Sequence, residues 1–426
     1  MRALEVISTK VQESTTPGST VLDLFAGTTV VSQSLADRGF QIIAADAMQY
    51  SQYFANALLG IGRLSNSPCK KSLAEIVLDG RNTEGLEELF SSWLEEEKHA
   101  LEIGDGAHLI QLSKSCPQIW RNANATTDLS RFFCELSFGV GRSGFSTSGI
   151  VASHYASTYF GIKQAITIDA IRCSIEAAKQ NHILDEWSYN ASIAALLSCA
   201  SKAAFTPGKH FAQYHKVSGD KNLDFHRKRI LSDRGVDIEK EFVSILEEIY
   251  ARPFQTGLSH RALHRSMEQL LVESTELGDV DLIYADPPYT AQQYSRFYHL
   301  PEVIACYRIP ELQLVSGKPT TGLYSSDRFK SRFSSKRFAP DGFRDLAKLA
   351  RSKGSDLIVS YSESKSGVTG NSRMISLEAL RKVLTETFSS VEVEELKFQY
   401  RQFNKERSVV LDKDDRELII YCRNVK

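Results

Sequence analysis

Residues 280–299 read VDLIYADPPYTAQQYSRFYH, and this stretch decides how the rest of the chain is read. Asp281-Leu282-Ile283-Tyr284-Ala285 is short, apolar and partly β-branched, the signature of a buried strand. It runs into Asp286-Pro287-Pro288-Tyr289. Two consecutive prolines cannot continue a ladder, because proline lacks the N–H and has a fixed φ. The chain therefore turns at the carboxyl end of the strand, where open α/β sheets place their ligands. The turn offers one carboxylate, rigid carbonyls and one aromatic face. That set suits a planar base carrying an exocyclic amine: Asp286 and the Pro287 carbonyl accept the two amine hydrogens, and Tyr289 stacks on the ring. Such acceptors build electron density on the nitrogen, which can then attack a methyl group. For four residues taken alone, the alternative is a proline-rich strand end with an incidental acid.

A second site lies upstream. Thr20-Val21-Leu22-Asp23-Leu24-Phe25 is an apolar strand candidate that enters Ala26-Gly27-Thr28-Thr29. An amphipathic helix over Val30 to Asp37 is expected next, closed by Gly39. Gln41-Ile42-Ile43-Ala44-Ala45 then ends on Asp46. Strand, glycine turn, helix, strand and acid is the βαβ layout of a nucleotide-binding half. Asp46 stands about 20 residues past Gly27, the spacing at which an acid reaches a ribose hydroxyl. One glycine in place of three means that no pyrophosphate needs cradling, so the expected cofactor carries an adenosine without phosphates. The alternative is a plain βαβ crossover with Asp46 as a helix N-cap.

Helices are expected at Tyr50–Leu59, Glu84–Leu101, Ile238–Tyr250, Leu263–Ser274, Phe343–Ser352 and Leu377–Phe388. His154 to His215 reads as a largely helical block, in which Ile168, Ile171, Ile175 and Ala178 keep helical spacing. Gly139 to Gly144 reads as a flexible connector. Lys209 to Lys216 interleaves cations with aromatics, a pattern that can face phosphates and bases. Asp356 to Tyr361 is a further strand, and residues 391–421 alternate like a β-hairpin. The N- and C-terminal parts, 1–60 and 256–426, are expected to share one mostly parallel sheet, split by an insertion over 61–255.

Lys and Arg number 51 against 52 Asp and Glu in 426 residues. A nucleic-acid partner therefore requires charge segregated onto one face. The sequence hints at segregation, acidic from Glu84 to Glu102 and basic from Lys318 to Arg337. The seven cysteines are scattered without a C-x-x-C pair, which argues against zinc and against a disulfide framework and fits a reducing cytoplasm. No metal, no signal peptide and no membrane span are expected.

With both motifs in hand, the chain resembles the alpha-group, Dam-like adenine-specific DNA methyltransferases of restriction-modification type. The matching residues are Asp23-Leu24-Phe25-Ala26-Gly27, Asp46 and Asp286-Pro287-Pro288-Tyr289, in family order around a long insertion. Tyr294 to Leu300, Tyr159-Phe160 through Asp169–Arg172, and the Gly208–Lys216 block resemble a subgroup of restriction-modification methylases. The resemblance implies an α/β, Rossmann-like methyltransferase sheet with a large, mainly helical inserted target-recognition region. It implies S-adenosyl-L-methionine at Asp23, Phe25, Ala26, Gly27, Thr28 and Asp46. It implies a flipped adenine held by Asp286 and Pro287, beside Pro288, and stacked on Tyr289. Lys209, His210, Tyr214, Lys216, Tyr294, Arg296, Tyr298 and His299 are the residues expected to meet double-stranded DNA. A cognate restriction endonuclease is the further partner implied. The competing functions are methylation of the cytosine amine, and a catalytically weak DNA-binding subunit of a defence complex. Thr29 stands where the family turn usually has a second glycine.

Overall fold

The apolar runs around 20–24, 41–46 and 282–285 become neighbours in one seven-stranded sheet. The computed structural model describes residues 2–64, 67, 70–121, 124–137, 148–217, 222–254, 257–364, 372–396 and 415–425. The chain divides into two compact units, Met1–Gly62 with Pro253–Ser295 and Phe329–Lys426, and Arg63–Arg252 with Arg296–Arg328.

The first unit carries the sheet. Its strands are β1 (Thr20–Leu24), β2 (Gln41–Asp46), β3 (Arg261–His264), β4 (Leu282–Ala285), β5 (Asp356–Ser364), β6 (Phe388–Glu395) and β7 (Asp415–Val425), in the order β3-β2-β1-β4-β5-β7-β6. The first five places are parallel, and β7 runs antiparallel to both β5 and β6. This is a Rossmann-like α/β sheet. Side chains alternate between its faces with period two. Leu22, Leu24, Ile283 and Leu357 enter one core with the helices Ala339–Lys353 and Leu377–Thr385. Val21, Ile42, Tyr284 and Ile358 enter the other with Arg2–Ser14 and Val30–Ala36. Burial on both faces is why these central strands read as continuous apolar runs.

The helix expected over Leu263–Ser274 is corrected. Its first residues form the edge strand β3, and helix runs only over Met267–Val272. Ser266 is extended (φ −72, ψ 161) and caps Gln269 N, with the Gln269 side chain returning to the Ser266 N–H. That capping box fixes the helix start four residues later than the leucine spacing suggests. The expected C-terminal hairpin is β6 paired with β7, Val393 opposite Ile420. Phe388, expected in the preceding helix, opens β6 instead. The Gly139–Gly144 connector lies outside the described residues.

The second unit is mainly helical, built around Ile162–Gln180 and Glu186–Ala203. Small residues on the second helix (Ala191, Ala194, Ala195, Ala200) are fully buried. The single helix expected over Glu84–Leu101 is two, Glu84–Leu89 and Ser91–Glu102, broken at buried Phe90. Its acidic run is not all solvated surface. Glu97 is 4% exposed and accepts the N–H groups of Ile162 and Lys163, satisfying the start of the Ile162–Gln180 helix. Asp169 accepts from Val151 N, Ala152 N and the Tyr307 hydroxyl. Arg172 donates to the Ile304 and Ala305 carbonyls. The Asp169–Arg172 block of the resemblance thus joins helix ends. Arg296–Arg328, read from sequence with the sheet, belongs to this unit and carries a small hairpin, Leu314–Val315 against Lys318–Pro319. No helix among the described residues is long and apolar enough to cross a membrane.

Candidate active site

β1 and β4 lie side by side and parallel, with Leu24 opposite Ala285. Neighbouring strands are about 4.8 Å apart. The turn after β1 and the turn after β4 therefore leave the same edge of the sheet next to each other.

The first turn is tightly wound. Phe25 N and Ala26 N both donate to the Ala45 carbonyl, at 3.0 and 3.1 Å. Phe25, Gly27 and Thr29 all have positive φ (70°, 52° and 63°). Only glycine takes this conformation freely, and a β-branched residue takes it at a cost. The space over Gly27 is open: an added methyl there would meet only the Phe25 carbonyl, at 4.0 Å. Asp46 joins this turn to the end of β2. Its two carboxylate oxygens accept Gly27 N at 3.0 Å and Met48 N at 2.9 Å. Met48 is itself the N-cap of the Gln49–Leu58 helix, so Asp46 does not cap that helix. Ala26 is half-buried and Thr28 exposed. The Phe25 ring packs edge-on to Phe333 at 5.3 Å.

Asp23, expected at the cofactor, is 2% exposed. Its Oδ2 accepts Ser32 N at 3.0 Å and Ser32 Oγ at 2.5 Å. It lies at the start of the Val30–Ala36 helix, a place that favours its ionised form. Burial pushes its acid up to about 7 despite the two Ser32 bonds, and Asp46 adds to the rise.

The second turn presents Asp286 above buried Pro287 and Pro288. The Asp286 side chain is open to solvent on one side and crowded by protein on the others. That desolvation, with the Glu417 and Asp23 carboxylates adding to it, raises its acid to about 7. Among the described residues no hydrogen bond reaches Asp286. Tyr289 is half-buried, 6.1 Å from the Tyr361 ring and with the Arg373 guanidinium 4.9 Å over its own ring. Arg373 is held by the Ser362 carbonyl at 2.6 Å and by Ser362 Oγ at 2.8 Å. The Tyr289 carbonyl accepts Met374 N at 3.1 Å.

Sequence reading missed Phe333, Arg373 and Glu417. Phe333 was visible only as part of the basic 318–337 stretch. Glu417 heads the last apolar run, where an acid reads as an ordinary strand end. Nothing in the sequence around Arg373 pointed to Tyr289.

The residues expected at DNA divide. Lys209 and His299 are bonded within the second unit. Lys209 Nζ is spent on Asp233 at 2.8 Å and on the Lys202 and Ala204 carbonyls. His299 is 2% exposed, and burial lowers its pKa to about 3, so the ring is neutral; its Nε2 lies 2.9 Å from the Phe211 carbonyl. His210 packs on Phe297 and Tyr214 on Tyr159, both half-buried. Lys216 Nζ lies 5.8 Å from the Tyr214 ring centroid. Arg296 is exposed and Tyr298 half-buried; in the first unit, Tyr294 is 40% exposed.

The sequence has counterparts among known proteins. Modification methylase StsI of Streptococcus sanguinis is 26% identical over 267 residues, 63% of this chain and 35% of that protein. The chain is similar to modification methylases. Modification methylase LlaI of Lactococcus lactis subsp. lactis is 26% identical over 271 residues, 62% of this chain and 37% of its own length. Type II methyltransferase M.NlaIII of Neisseria lactamica is 29% identical over 167 residues, 37% of this chain and 42% of its own. The chain thus spans between about a third and two fifths of the length of these three relatives. No family model matches it. With these relatives, the seven-stranded sheet is a Rossmann-like methyltransferase fold.

Proposed function

We propose that this chain transfers a methyl group from S-adenosyl-L-methionine to the exocyclic amine of a flipped adenine at a specific site in duplex DNA. The observation that carries this reading is the adjacency of the two turns, one after each of two paired parallel strands. A donor seated over Phe25 to Thr28 and an amine seated at Asp286 meet at one sheet edge. Asp46 stands at the end of β2, bonded to the Gly27 N–H of this turn, which puts a carboxylate where the donor's ribose would lie, and the open space over Gly27 lets a ligand approach the backbone.

S-adenosyl-L-methionine supplies an electrophilic methyl carbon. Asp286 and the Pro287 carbonyl accept the two amine hydrogens, leaving the nitrogen lone pair directed at that carbon. The N–C bond forms as the C–S bond breaks, the positive charge passes to nitrogen, and a proton leaves through Asp286. An acid near 7 is close to half-ionised at neutral pH, which suits it to take that proton. Tyr289 stacks on the base, repaying part of the few kcal/mol that unstacking costs. Catalysis on this scheme is positioning and electrostatics, without a covalent enzyme intermediate. In a restriction-modification setting the partner is an endonuclease that cuts the unmethylated site.

Incubation of the protein with methyl-labelled cofactor and duplex DNA, then digestion to nucleosides, tests the reading. Label on N6-methyladenosine is the expected result. Label on N4-methylcytidine moves the substrate to the other amine. No label from folded protein supplied with diverse sequences overturns methyl transfer.

A further inference from the structure

In the second unit two guanidiniums crowd one tyrosine. Cζ of Arg296 lies 4.8 Å, and Cζ of Arg328 5.6 Å, from the Tyr324 ring centroid. Arg296 also donates to the Tyr324 hydroxyl at 3.2 Å. The ring is a fixed platform: Tyr324 is 6% exposed, its hydroxyl donates to the Ala212 carbonyl, and its own carbonyl accepts Gln313 N at 2.7 Å. Arg328 gives one N–H to Gln313 Oε1 at 3.3 Å. Its Nε and its other terminal nitrogen are shielded from solvent and have no acceptor. Among the described residues no carboxylate pairs with either arginine.

This arrangement is unfavourable as it stands. Each cation gains from the ring face, but the two charges repel, and burial together with Arg296 weakens the hold of Arg328 on its proton. Shielded donors without acceptors are rare in folded proteins and costly to keep. An incoming anion relieves both problems at once, accepting the idle N–H groups and offsetting the repulsion between the two cations. We propose that Arg296 and Arg328, seated on Tyr324, form a clamp for one phosphodiester of the DNA backbone. A phosphodiester shares one negative charge over two non-bridging oxygens, one oxygen for each guanidinium. A guanine edge presents N7 and O6, which a single arginine uses up. The clamp therefore contributes affinity and register, not sequence preference. It rests on the reading of DNA as substrate.

The test is binding of the full chain to a fluorescein-labelled duplex of mixed sequence, followed by anisotropy across a salt series. Replacing both arginines by alanine should flatten the slope of log K against log salt by about 0.9, the loss of one phosphate contact, and Arg328→Ala and Arg296→Ala should each flatten it by a part of that. They should weaken binding to every duplex alike. Arg328→Lys, which keeps the charge, should recover most of the slope. Arg296 is exposed, so its replacement keeps the fold, and thermal melting checks each variant. An unchanged slope in both alanine variants overturns the clamp. So does a loss confined to particular sequences, which would mark a base contact. Stabilisation of the wild type by inorganic phosphate alone, with DNA binding unaffected by the substitutions, assigns the pair to free phosphate and also overturns it. The readout is binding, so absence of methylation leaves the clamp standing, and an unchanged slope leaves methyl transfer standing.

Discussion

The two turns at the sheet edge each have an aspartate, and the pair differ in one respect. Both acids are raised to about 7, chiefly by desolvation. Asp23 is enclosed and has both a backbone and a hydroxyl donor from Ser32. Asp286 is open on one side, and among the described residues nothing donates to it. Equal acidity therefore accompanies opposite uses. The shift reports crowding, which any interior carboxylate suffers. The supply of donors reports whether the group is already employed. A perturbed carboxylate is a functional candidate when its acceptors are idle, and a structural one when the fold has filled them.

The largest effect that would sharpen this contrast is catalytic. Asp286→Ala should lower methyl transfer by about a thousandfold or more while leaving DNA binding in place. Single-turnover transfer with labelled cofactor measures it. Next in size is Asp23→Ala, which strands the Ser32 N–H and hydroxyl in the interior. It should cost about 2–3 kcal/mol in urea unfolding, with transfer falling only as the folded fraction falls. Folded Asp23→Ala protein without transfer, beside fully active Asp286→Ala, would reverse the comparison.

A third test uses pH. Transfer should rise with pH and reach half its plateau near pH 7, as Asp286 ionises. Stability runs the other way. The folded acid sits above its unfolded value of 3.8, so its contribution is present at low pH and is lost as pH rises toward about 7. Asp286→Asn should therefore melt higher than wild type at pH 8, the gap closing as pH falls through this window, while its transfer stays low throughout. Thermal scans against pH read this; a gap independent of pH breaks the account. The smallest effect is expected at Thr29, held at φ 63 with its side chain buried. Thr29→Gly relieves the backbone but loses packed atoms, so the net change in unfolding free energy should stay within about 1 kcal/mol.

The central strands and both turns were legible because a strand buried on two faces leaves an unbroken apolar run, and a double proline leaves one way to end it. The edge strand β3 was not. Arg261-Ala262-Leu263-His264 is four residues, none fully buried, and Leu263, Leu270 and Leu271 imitate a helical stripe. The inward turn of Asp23 was hidden too. Its donor is Ser32, on the helix beyond the turn, and a serine there reads as an ordinary helical residue. Lys209 looked like a free cation because Asp233, its partner, is distant in sequence. Glu97 was hidden among solvated glutamates for the same reason. Side chains whose meaning depends on a distant partner carry little local signal.

The polypeptide passes between its two units at Gly62/Arg63, Arg252/Pro253, Ser295/Arg296 and Arg328/Phe329. The second unit is consequently encoded in two separate pieces, and the shorter begins just downstream of Tyr289. Anyone grafting this unit onto one of the methylases it is similar to by one cut and one paste would carry over the helices and leave Arg296, Tyr324 and Arg328 behind. A faithful transplant needs both pieces, and inheritance faces the same requirement: recombination at a single pair of breakpoints cannot exchange the unit whole without bringing the Asp286 turn with it.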